Sequence, residues 1–96
     1  MQKIDVVFRQ ADTELTRAAS PMSPANLAEL SAELGHAMTL VELPACELTR
    51  GLENLLATNA SPEEDWLIQA SNWLLTAAKD AVARGATAVR FEARAA

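Results

Sequence analysis

Residues 61–85 read SPEEDWLIQASNWLLTAAKDAVARG, and both ends of a helix are written into them. Ser61 stands as N-cap, Pro62 at the first helical position and Glu64 at the third, the pattern of a capping box. Gly85 supplies a left-handed stop, after Lys79 and Arg84 near the negative end of the helix dipole. A helix over 62–84 would be about 34 Å long at about 1.5 Å per residue. A compact chain of this size has a radius of gyration of only about 12 Å, so the helix is expected to cross the whole molecule. At 100° per residue its apolar side chains, Trp66 and Trp73 included, fill an arc of about 220°, wider than the stripe of a surface helix. The expectation is a largely buried spine packed between neighbours.

Working outward, Pro44 opens a second helix that continues through Leu48, Leu52, Leu55 and Leu56 to Thr58, with Asn59, Ser61 and Pro62 breaking it. Ser23 and Pro24 open another, with Leu27, Leu30, Leu34, Ala37, Met38 and Val41 on one face, giving 24–41. At the chain's ends the period changes from 3.6 to 2. Ile4, Val6 and Phe8 alternate with Lys3, Asp5 and Arg9; Val89, Phe91 and Ala93 alternate with Arg90, Glu92 and Arg94. Each end therefore reads as a strand with one buried face, over 3–9 and 87–94. For residues 10–22 a short helix capped by Asp12 is preferred to a turn at Ser20-Pro21. The expected fold is α+β, mainly α, with helices 24–41, 44–58 and 62–84 between terminal strands. An all-α bundle is the alternative.

The 96 residues form one expected domain, 1–96, half apolar and 22% charged, which is a globular composition. No apolar run approaches the roughly 20 residues needed to span a bilayer. An acidic residue sits where a signal peptide's apolar region would begin, so the reading places the protein in the cytoplasm. Cys46 is the only cysteine, which excludes an intramolecular disulfide and a thiolate zinc cage within one chain. A net charge of -5 disfavours direct binding to nucleic acid or anionic lipid, whose affinity comes from Lys and Arg releasing counterions. A basic partner suits such a chain better.

Few residues carry a chemical signal. Glu33 and His36 have the spacing of a di-metal carboxylate motif, but with Glu29 they fall on the helix face opposite its apolar side, and a solvated face is preferred. Cys46 and His36 are the single thiol and imidazole; the preferred reading of Cys46 is an unreactive core cysteine. No phosphate-binding glycine loop or Gly-x-Ser-x-Gly elbow occurs. Leu30, Ser31, Leu34, Gly35 and Val41 loosely follow helix-turn-helix spacing, but no basic side chain precedes Arg50 in the would-be reading helix. No metal or cofactor is implied. Glu63, Glu64 and Asp65 suit a positive helix N-terminus, or an acidic patch for a basic partner. Trp66 and Trp73, seven apart, either cover the core or anchor a partner.

Exclusion of chemistry leaves a non-enzymatic protein-interaction module as the expected function: a small acidic inhibitor, immunity or antitoxin-like protein, secretion chaperone or adaptor. One version occupies a basic nucleic-acid-binding surface, as a phage-type inhibitor of host defence would. The competing readings are a small nucleic-acid-binding regulator and a small enzyme or metalloprotein using Glu33, His36 or Cys46. Two isolated terminal strands are marginal alone, so a homodimer joins them into a larger sheet, a partner adds a strand by main-chain hydrogen bonds, or they pair with each other on the helices.

Overall fold

The computed structural model describes residues 2–35, 42–58 and 65–95. In chain order they form β1 (Gln2–Gln10), β2 (Thr13–Ala19), α1 (Pro24–Leu34), β3 (Leu43–Pro44), α2 (Ala45–Thr58), α3 (Asp65–Ala83) and β4 (Ala88–Ala95). The fold is α+β, mainly helical, with strands at both ends. The strands make one antiparallel sheet in the order β2-β1-β4-β3.

The two ends of the chain pair with each other along most of their length, from Gln2 opposite Ala95 to Arg9 opposite Ala88. β1 is therefore an internal strand, with β4 on one side and β2 on the other. Strand alternation sends Ile4, Val6 and Phe8 of β1 and Val89 and Phe91 of β4 to one face, where they join the core. Leu27 and Leu30 of α1, Leu48 and Leu52 of α2, and Leu67 and Leu74 of α3 meet them there, all buried. The result is one layer of sheet and one of helices. A four-stranded sheet backed by helices is not a marginal ribbon, so a second copy is not needed to stabilise the terminal strands.

Residues 13–19 are a strand, not the short helix expected. The β1–β2 hairpin closes through Ala11 and Asp12, with Gln10 opposite Thr13, and Ala11 takes a positive φ of 53°. Such positions normally carry Gly or Asn, and their absence hid the hairpin. A β-bulge between Phe8 and Arg9 shifts the register beside the turn. After β2, Ser20 ties the chain to the sheet, its N–H donating to the Ile4 carbonyl at 2.9 Å while its Oγ accepts from the Met22 N–H at 3.2 Å.

α1 starts where the sequence indicates. The Ser23 Oγ accepts from the Asn26 N–H at 3.1 Å, and the Asn26 Oδ1 accepts from the Ser23 N–H at 3.3 Å, a capping box closed by Asn in place of Glu or Gln. It ends at Leu34, short of the expected Val41, because Gly35 adopts the left-handed C-cap conformation at φ 73°. Residues 36–41 lie outside the described residues, as does the Ser61 capping box. The described residues before α2 are those of β3, which leads directly into it.

α3 is less buried than its apolar arc suggests. Leu67, Ala70, Ser71, Leu74, Ala78 and Ala81 form the buried stripe, about 100° wide at 100° per residue. Trp66, Trp73, Leu75 and Ala77 flank it, half-buried, and Val82 is exposed. The helix closes with the Ala86 N–H donating to the Ala81 carbonyl at 2.9 Å and the Gly85 N–H to the Val82 carbonyl at 3.0 Å, a Schellman motif with Gly85 at φ 105°. A Cβ on Gly85 would lie 3.1 Å from the Gln10 side-chain nitrogen.

Two substitutions at positive φ should therefore act with opposite sign. Ala11→Gly is expected to raise the unfolding free energy by up to about 1 kcal/mol, by relieving a left-handed alanine. Gly85→Ala should lower it by about 1–2 kcal/mol, by creating one. Urea denaturation of both variants checks the pair; equal signs would contradict the turn geometry.

Candidate functional site

Trp66 and Trp73 lie two turns apart on α3 and face the segment that links β2 to α1. Between the two elements runs a groove of about 330 Å³, lined by the indoles, Ala70 and Gln69 of α3, and by Pro21, Met22 and Asn26. Both indoles pack against the core on one flank and line the groove on the other. Among the described residues neither indole N–H has a hydrogen-bond partner. Met22, only 3% exposed, forms the floor. A second depression of about 280 Å³ shares Pro21, Met22 and Asn26 and is lined also by Ala19 at the end of β2 and Lys3 of β1.

The other sequence candidates scatter. Glu63 and Glu64 lie outside the described residues, and so does the side chain of Asp65, which opens α3. Glu29 and Glu33 are exposed on α1, while His36 lies outside the described residues. Cys46 is exposed and not the core residue expected. Ala45 and Leu48 take the inward positions of the first turn of α2, and the intervening 100° step turns Cys46 outward. Among the described residues no three His, Cys, Asp or Glu side chains gather as metal ligands.

A feature with no signal in the sequence is the charge lattice on the sheet face away from the helices. The Arg17 guanidinium donates through Nη1 to Glu92 Oε1 at 2.9 Å and to Asp5 Oδ2 at 3.3 Å, and through Nη2 to Glu14 Oε1 at 2.9 Å. Arg90 Nε donates to Glu92 Oε2 at 2.7 Å, and Arg9 Nη1 lies 3.4 Å from Glu42 Oε2. Register explains the assembly: Asp5 is opposite Ala19 on β2 and Glu92 on β4, while Val7 is opposite Arg17 and Arg90. Val7 and Asp5 are buried although no helix among the described residues covers them. Hydrogen bonds to Glu14 and then Glu92 raise the Arg17 pKa above its ordinary value. Those from Arg17 and then Arg90 lower the Glu92 pKa below 4.5.

Within the lattice three cations, Arg9, Arg17 and Arg90, are paired with four carboxylates, Asp5, Glu14, Glu42 and Glu92.

No helix among the described residues is long and apolar enough to cross a membrane. No family model, curated protein or solved structure matches the chain.

Because the folded-state pKa of Glu92 is depressed, its contribution to stability is fully present above about 4.5 and is lost as pH falls through the folded value. The stability of wild type should therefore fall more steeply below pH 4.5 than that of Arg17→Met, the two curves converging in acid. Parallel curves in urea denaturation across pH would remove Arg17 as the cause.

Proposed function

We propose that this chain is a non-enzymatic protein-interaction module that docks another protein through the Trp66–Trp73 groove. The observation that carries the reading is the pair of half-buried indoles lining one open groove. Tryptophan is enriched at the centres of interfaces because it combines a large apolar area with an N–H that suits a partner carbonyl. Here α3 holds both rings against the core and the segment before α1 supplies the opposite wall. A rigid aromatic groove needs little reordering on binding, which favours affinity.

The charge distribution supports a basic partner. A net charge of -5, with Glu29 and Glu33 lacking a cation within ion-pairing distance among the described residues, attracts a cationic surface. The class of protein that suits these features is a small acidic inhibitor, immunity or antitoxin-like protein, secretion chaperone or adaptor. Occupation of a basic nucleic-acid-binding surface, as in phage-type inhibitors of host defence, is one form of it.

Affinity capture with the full chain tests this reading. The retained protein is expected to elute on raising salt and to be lost with Trp73→Ala, a change worth about 2 kcal/mol or more at an interface centre. Gln69→Arg, an exposed position that crowds the groove without touching the core, should have the same effect. Asn72→Arg, also exposed on α3 but outside the groove lining, should keep the partner. Capture unaffected by Gln69→Arg would overturn docking at the groove.

A further inference from the structure

Resting on the interaction reading, we infer that the occupant of the groove is a cationic, amphipathic segment of another protein, with an arginine stacked on the indoles. The walls give the chemistry. Pro21, Met22, Ala70 and the ring faces of Trp66 and Trp73 are apolar, and among the described residues the only other side chains lining the groove are the carboxamides of Asn26 and Gln69. No cation among the described residues lines it; Lys3 lines the adjoining depression. The Asn26 carboxamide oxygen already accepts from the Ser23 N–H, which leaves the exposed Gln69 carbonyl for a new donor. A guanidinium is a donor-only, weakly hydrated plane that stacks on aromatic faces, and its aliphatic stem can lie along Met22 and Ala70.

Charge at the rim points the same way. Glu29 follows Asn26 by three residues and so stands beside it on one face of α1. Neither Glu29 nor Glu33 has a cation within ion-pairing distance among the described residues, and α1 itself contains none. By contrast Glu53 is paired with Lys79 at 3.7 Å and Asp80 with Arg84 at 3.2 Å. The groove is thus bordered by a helix whose carboxylates have no cation within ion-pairing distance among the described residues, on a chain of net charge -5. An anionic segment would meet repulsion there, whereas a cationic one is attracted and oriented. The volume, near the low end of the roughly 300–1,000 Å³ of small-molecule pockets, suits one or two anchoring side chains of a larger partner.

The chain has two tryptophans and no tyrosine, so its fluorescence reports on this groove directly. The test titrates the intact protein with amphipathic leucine peptides of equal length bearing arginine, lysine, glutamine or glutamate on the polar face. The arginine peptide is expected to give a saturable change at about tenfold lower concentration than the glutamine peptide, to bind more tightly than the lysine peptide, and to weaken with salt. Glu29→Gln should weaken it about threefold and Gln69→Arg about tenfold, while Asn72→Arg leaves it unchanged. Equal binding of the glutamine or glutamate peptide would overturn the cationic occupant while leaving the groove as a docking site. Arginine-peptide binding that ignores both groove variants would overturn it as generic charge attraction. An arginine peptide that leaves the indoles unperturbed also overturns it; the interaction reading then survives only if groove-dependent capture is still observed. A dimer of the chain alone in sedimentation, abolished by Gln69→Arg, would identify the occupant as a second copy and overturn the inference.

Discussion

The antiparallel pairing of the first strand with the last is the constraint on which everything else rests. Eight residue pairs from Gln2–Ala95 to Arg9–Ala88 hold the chain ends together, so every helix has to be accommodated between two strands already joined. The helices then have one apolar surface to lean on, made by Ile4, Val6, Phe8, Val89 and Phe91. Such non-local pairing orders a long intervening chain, and the return comes from strand residues that are 5% exposed or less. β1 gains a second neighbour in β2, whose departure through Ser20, Pro21 and Met22 builds the wall opposite Trp66 and Trp73. The groove is a consequence of the sheet's topology and cannot exist on α3 alone.

The other face of the sheet solves a different problem. No helix among the described residues covers it, and Val7 would be exposed at the centre of a strand. Arg17, Arg90, Glu14 and Glu92 cover it with aliphatic stems and mutually paired heads. Pairs this exposed add little by attraction alone, so their value lies as much in cover. An edge strand whose arginine is held across the sheet is also a poor template for another strand. The same lattice holds its arginines against its own carboxylates.

Much of the architecture was legible because it rests on local signals. The Ser23-Pro24 start, the Gly85 stop and the period-two ends each have a physical cause confined to a few residues. β2 was not legible, because Ala11 takes a turn conformation that the sequence marks with neither Gly nor Asn, and the tertiary pairing with β1 overrides that local preference. The end of α1 at Gly35 was missed because apolar periodicity continues past it to Val41, although a glycine at that place is itself a C-cap signal. The breadth of α3's apolar arc misled because alanine counts as apolar on either side of a helix. Ser71, fully buried, belongs to the stripe instead. Of the candidate site, the two tryptophans were readable from their spacing. Met22 and Pro21 were not, since their place opposite the indoles depends on the unrecognised strand, and the charge lattice depends on cross-strand register in the same way.

Native-state amide hydrogen exchange tests the central claim most directly. β1 is bonded on both sides, so the amides of Asp5 to Phe8 should exchange only through global unfolding, with an opening free energy equal to that of the whole domain. Loss of their protection should coincide with loss of protection in α2 and α3. If those amides instead exchange through a smaller, local opening while the helices stay protected, the helices form a core that stands without the terminal strands. The sheet would then be an attachment and not the frame.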